Sequence, residues 1–82
     1  MNVRITTTTD VDPTVIKIVG RLEAADVPEL DKEIDSVDGR LVLDLSELKS
    51  AEPAGIERLR ELAAGGAEFR GASPYVQMLL DD

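Results

Sequence analysis

The chain contains neither cysteine nor histidine. Those two absences exclude disulfide staples, thiol nucleophiles, Ser-His and Cys-His relays, and the usual ligands of zinc and haem. The lack of cysteine fits a reducing compartment, and a cytoplasmic location is expected. Aromatic residues make up 2% of the chain, Phe69 and Tyr75 alone, so its core must be built from Leu, Val, Ile and Ala. Cations are also scarce: 9 Lys and Arg stand against 17 Asp and Glu, for a net charge of −8. Binding to nucleic acid or to an anionic membrane surface needs clustered Lys and Arg, so neither is expected. The charge is compatible with a basic protein partner and is also sufficient as a solubility device. Purely aliphatic runs extend only a few residues, so no direct membrane insertion is expected. The N-terminal MNVRITTTT has no apolar segment of the secretory kind.

What is present is one small domain of 82 residues. A chain of this size buries roughly 60% of its unfolded surface, so the core is modest. Residues 2–9 (NVRITTTT) alternate Val3, Ile5 and Thr7 with Arg4, Thr6 and Thr8, the period of an edge strand. Asp10-Val11-Asp12-Pro13 reads as a turn into a second strand, TVIKIV at 14–19, which Gly20 ends. A turn this short implies an antiparallel hairpin. Arg21 to Ala25 reads as a loop, followed by a helix start in which Asp26 caps, Pro28 lies in the first turn and Glu29 completes a capping box. Val27, Leu30, Ile34 and Val37 recur at helical spacing, and Asp38-Gly39 stops the helix.

Residues 41–45 (LVLDL) have the near-continuous apolar character of a central strand. A polar loop and a helix over 53–64 follow, with Ile56, Leu59, Leu62 and Ala63 on one face. Residues 67–70 (AEFR) read as a short strand, and Ser73-Pro74 as the start of a last helix carrying Val76, Leu79 and Leu80. The order β-β-α-β-α-β-α predicts a mixed four-stranded α/β sheet with helices mainly on one face, in a single domain over 1–82.

The stretch with most functional promise is the strand-to-helix junction inside residues 40–62. In α/β folds the C-terminal ends of strands and the exposed N–H groups of helix starts meet at such places. Pro53 suits the first helical position whatever else it does. Gly55, early in a helix, points to close backbone approach, to a neighbouring strand or to a partner. Asp44 at the strand end reads as an acceptor that orients the loop, and Ser46 as the cap of that loop. Tyr75 and Met78, three residues apart on the last helix, read as packing residues. No nucleophile–base pair, phosphate-binding glycine loop or metal cluster is present, so the chain is not expected to be an enzyme or to hold a cofactor.

Four segments in order carry a resemblance. A hydrophobic strand closes in Gly20 with Leu22 after it (VIKIVGRLEAADVPEL). A second strand ends in Asp44-Leu45-Ser46. Gly55-Ile56 opens a helix with Leu59, and GASPYVQMLL lies near the end. Together these resemble a STAS domain, the fold of the cytoplasmic domains of sulfate transporters and of bacterial anti-sigma factor antagonists.

The resemblance implies a non-enzymatic protein-binding module. In the antagonist branch, an Asp-Ser-Ser-Gly-like motif opens the second helix, and its first Ser is phosphorylated by a GHKL-type serine kinase that doubles as the anti-sigma factor. Here those positions read Glu52-Pro53-Ala54-Gly55. The acceptor hydroxyl is replaced by Pro53, so phosphorylation there is ruled out. Ser50 is the nearest alternative acceptor beside Ser46. Carried over by position, the partner-binding surface comprises Leu22, Glu23, Glu52, Pro53, Ala54, Gly55, Ile56 and Arg58. The partner so implied is an anti-sigma factor of the kinase type. The alternative, from small STAS subunits of ABC-type lipid transport systems, is the ATPase subunit of such a transporter. Oligomeric state is left open.

Overall fold

The computed structural model describes residues 3–8, 12–37 and 39–81. Five strands and three helices follow in order: β1 Val3–Thr8, β2 Thr14–Leu22, α1 Val27–Asp35, β3 Leu41–Asp44, β4 Leu48–Ala51, α2 Pro53–Ala64, β5 Glu68–Arg70 and α3 Pro74–Asp81. Asp10 and Val11 of the expected turn, and Asp38 of the expected helix stop, lie outside the described residues.

β1 and β2 form the expected antiparallel hairpin, with Ile5 opposite Ile18 and Thr7 opposite Ile16. β3 lies parallel to β2, and β5 parallel to β3, giving the order β1-β2-β3-β5. The helices pack against one face. On β2, Thr14, Ile16, Ile18 and Leu22 are buried beneath them, and Val15, Lys17 and Val19 on the other face are only half-buried. Ile16, Ile18, Leu22, Leu30, Leu43, Leu45, Leu59 and Val76 lose all contact with solvent. At about 1.5–3 kcal/mol per large aliphatic side chain, this cluster is what holds the sheet to the helices. Thr7 Oγ1 donates to Glu33 Oε1 at 2.6 Å, tying the hairpin to α1.

Two expectations about the sheet and the start of α1 are corrected. First, the sheet has five strands rather than four. The loop after β3 contains β4, which pairs parallel with the far end of β2. The cause is Gly20, which does not end its strand. It adopts φ +96°, the pairing register shifts between Gly20 and Arg21, and β2 bends from β3 onto β4. Pairing with β3 runs as far as Lys17–Asp44, and pairing with β4 begins at Gly20–Leu48. Arg21 and Leu22 are therefore strand, not loop. Second, the capping partners differ. A 3-10 turn, Ala24–Asp26, precedes α1, so Asp26 is already helical in backbone and makes no side-chain cap to α1. It reaches back instead, and its Oδ2 accepts the Glu23 N–H at 2.9 Å.

The last helix starts as read from the sequence: Ser73 Oγ accepts the Val76 N–H at 3.2 Å, and Pro74 is the first helical residue. Tyr75 and Met78 differ from expectation. They are 51% and 60% exposed, because Val76 takes the inward position on α3.

Candidate docking site

β4 is the element that assembles the junction. Its last residues pair with the end of β2, Ser50 beside Arg21 and Ala51 beside Leu22. The Glu52 N–H then continues the ladder by donating to the Leu22 carbonyl at 2.9 Å. Glu52 is extended, at φ −74° and ψ 161°, and Pro53 opens α2 at its first position. The Glu52 side chain does not cap its own helix. Its Oε1 accepts the Ala24 N–H at 2.7 Å, and its Oε2 lies 3.7 Å from Arg21 Nη2. One carboxylate thus fastens the segment after β2 to the start of α2.

Gly55 explains how closely these parts approach. An added Cβ would meet Leu22 Cδ2, Cγ and the Leu22 carbonyl oxygen, each at 3.0 Å. The close approach is therefore internal, between α2 and β2. Leu22 is fully buried, Gly55 is buried, and Ile56 is 8% exposed. These three form the floor of the site. Pro53 and Ala54 are exposed, with Glu23 and Glu52 half-exposed beside them. Arg58 is engaged elsewhere: its Nε donates to Asp31 Oδ1 at 2.7 Å and its Nη1 to Glu61 Oε1 at 3.2 Å, which bridges α1 and α2. Those two carboxylates raise its already high pKa further. Ser50 is half-buried within β4.

Asp44 orients the turn between β3 and β4, as its sequence position implies. Its Oδ1 accepts from the Ser46 N–H at 3.0 Å and the Ser46 hydroxyl at 2.7 Å. These bonds, with smaller contributions from Lys17 and Arg70, hold its carboxyl below the usual aspartate value. Lys17 and Glu47 form an exposed ion pair on the same face of the sheet, which raises the ammonium and lowers the carboxyl. Among the described residues, no group of three or more acidic side chains is gathered to hold a metal ion. No helix among them is long and apolar enough to cross a membrane. What the junction offers is a stiff, mixed polar and apolar corner, made of Pro53 and Ala54 with Glu23 and Glu52 at their side.

This architecture is similar to that of a crystal structure of an antisigma-factor antagonist, a STAS domain from Rhodobacter sphaeroides. The likeness has a TM-score of 0.60 at 20% identity and covers 88% of this chain and 92% of that one. The chain has a STAS-like fold. No protein-family model and no curated protein sequence matches the chain. At this identity the likeness extends to the STAS-like backbone, and the chemistry of the corner must be argued from its own residues.

Sequence reasoning located the junction by the rule that strand ends and helix starts converge. It missed the means of convergence, β4. Two signals point to it: an isolated Gly within a strand pattern, which marks a bulge, and Leu48, an apolar residue inside an otherwise polar loop.

Proposed function

We propose that the chain is a non-catalytic, cytoplasmic protein-docking module whose partner contacts the corner formed by Glu23, Glu52, Pro53 and Ala54. Leu22, Gly55 and Ile56 support that corner from beneath, and Arg58 steadies α2 against α1. The observation that carries the reading is the Glu52 carboxylate. It accepts the Ala24 N–H and lies 3.7 Å from Arg21 in the free chain, so the two halves of the corner are linked before docking. The STAS-like fold, shared with an antisigma-factor antagonist, favours an anti-sigma factor of the serine-kinase type as the partner. In such a pairing, Pro53 removes phosphorylation at the start of α2 as a means of release. Docking is then controlled by the amounts of the two proteins or by another residue.

The test uses the partner recovered with the tagged chain from its source cells. Ala54→Trp and Glu52→Arg both alter the corner, and Ala54 is exposed, so its variant keeps the fold. A kinase-type partner that binds the wild type and loses about tenfold or more in affinity for Ala54→Trp supports the reading. A partner indifferent to both variants refutes it. Recovery of an ABC-transporter ATPase instead transfers the corner to the transport role.

A further inference from the structure

β1 forms one edge of the sheet: the strand order is β1-β2-β3-β5, and among the described residues no strand lies on its outer side. About half of its backbone N–H and C=O groups point to β2, and the others point away from the sheet. A free edge is a template for another strand, and folds usually blunt it by short length, charge, proline or a bulge. The opposite edge is blunted in that way. β5 has three residues, and the charged Glu68 and Arg70 are its exposed ones. β1 is not. It runs six residues, its register with β2 is unbroken from Val3 to Thr8, and Arg4 is its one charge, with no proline. Its exposed side chains are Arg4, Thr6 and Thr8, on the face away from the helices.

We propose that β1 pairs antiparallel with β1 of a second copy of this chain, about a twofold axis at Thr6, and so joins two sheets into one. The residues of β1 suit a copy of themselves. With Thr6 opposite Thr6, Arg4 meets Thr8 and Ile5 meets Thr7. Every pair then contains a threonine, a β-branched residue favoured in strands, and Thr–Thr pairs across strands are themselves favourable. Sliding the axis to Ile5 would set the two Arg4 side chains diagonally, about 7–8 Å apart. About Thr6 they are separated by four residues, or about 14 Å along the strands.

Net charge also selects this edge. Two copies at −8 repel, but β1 itself carries one cation and no carboxylate. The opposing charges stand on α1, where Glu29 and Glu33 line a hollow of about 550 Å3 together with Val3, Arg4 and Ile5. Present in both copies, these carboxylates resist the join, so it tightens when salt screens them. A contact confined to one strand pair lies below the roughly 1,200 Å2 of stable complexes, so the dimer is reversible, with a Kd on the order of 10–100 µM. It shares no residue with the corner at Glu52 and does not depend on that corner docking a partner.

Sedimentation velocity on the whole chain, from about 1 µM to about 1 mM, should show a monomer passing into a dimer. Thr6→Lys and Thr6→Glu alter an exposed position, and each sets like charges opposite one another on the axis, so each should weaken the dimer about tenfold or more. They change net charge in opposite directions, so a loss shared by both is local. An equimolar mixture of the two should restore a dimer, because Lys then faces Glu. Glu68→Lys, on the β5 edge, should alter the wild-type affinity by less than about twofold. Raising salt from about 50 mM to about 500 mM should tighten the dimer. Circular dichroism verifies that each variant folds. The proposal is overturned by a chain that stays monomeric at about 1 mM, by a dimer that both Thr6 variants leave intact, by a mixture no tighter than either variant alone, or by a dimer that salt weakens. A dimer strengthened by Thr6→Glu alone overturns the Thr6 axis, by placing Thr6 opposite Arg4. One dissolved by Glu68→Lys belongs to β5 and overturns the pairing through β1.

Discussion

Replacing Gly55 with alanine adds one methyl group at a point where α2 and β2 are already in contact. Two effects oppose each other. Alanine favours a helix interior over glycine by about 1 kcal/mol. Against this, the new Cβ arrives 3.0 Å from two Leu22 side-chain atoms and from the Leu22 carbonyl oxygen. Overpacking of this kind costs about 1–3 kcal/mol. Leu22 cannot swing aside freely, because it is fully buried, and its carbonyl is held by the Glu52 N–H at 2.9 Å. Clash therefore wins, with an expected net loss of up to about 2 kcal/mol. In a domain this small, that lowers the melting temperature by up to roughly 15 °C. Thermal and urea unfolding followed by circular dichroism would measure it. Gly65→Ala is the internal control: its nearest neighbours are carbonyl oxygens at 3.5 and 3.6 Å and its φ is −83°, so it should be neutral or stabilise by up to about 1 kcal/mol. A double-mutant cycle with Leu22→Ala should shrink the Gly55→Ala penalty, leaving the part due to the carbonyl. Gly55→Ala melting at or above the wild type would refute the argument that α2 is seated on Leu22.

Three further perturbations probe the surroundings. Glu52→Ala removes the acceptor of the Ala24 N–H and the partner of Arg21; a loss of about 0.5–1.5 kcal/mol and faster hydrogen exchange at the Ala24 amide are expected, and unchanged exchange would show that the carboxylate does not fasten the corner. Arg58→Ala breaks the bridge from α2 to Asp31 on α1; the cost should be at most about 1 kcal/mol and smaller in high salt, and a cost that salt does not reduce would count against an ionic origin. Asp44 has its carboxyl pKa lowered by the bonds from Ser46, so its contribution to stability is fully present at neutral pH and is lost as the pH falls below the ordinary aspartate value of about 4. Ser46→Ala should therefore lower stability at neutral pH and flatten the acid limb of the stability curve, and equal slopes in both proteins would contradict the assignment.

The parts of the fold legible in the sequence are those whose pattern is local. Val3, Ile5 and Thr7 face Gly20, Ile18 and Ile16 across the hairpin, as period two requires. α2 begins at Pro53 and its buried face includes Ile56 and Leu59, as helical spacing requires. β4 was not legible because little in it is strand-like on its own terms. Leu48, Lys49, Ser50 and Ala51 include no β-branched or aromatic residue, and they become a strand because Gly20 bends the end of β2 towards them. The same non-local event turned Arg21 and Leu22 from loop into strand. It also decided which of the eight candidate residues face outward, since pairing of Leu22 with Ala51 forces the leucine side chain into the core and leaves Glu23, Glu52, Pro53 and Ala54 at the surface.

α3 poses the converse problem, too many apolar residues for one short helix. Tyr75, Val76, Met78, Leu79 and Leu80 lie among its eight residues, and such a helix has one inward stripe to bury. Spacing alone does not choose between Val76 with Leu80 and Tyr75 with Met78 or Leu79, because both pairings satisfy helical periodicity. The choice is made outside α3. Ser73 caps the helix through the Val76 N–H, and Arg60 of α2 holds the carbonyls of Leu79 and Leu80. With both ends held, Val76 is wholly buried, and Tyr75 and Met78 are left exposed. Packing that needed only a core would be met by polar residues at 75 and 78. The apolar side chains at those positions are therefore the feature of this helix that folding alone does not require.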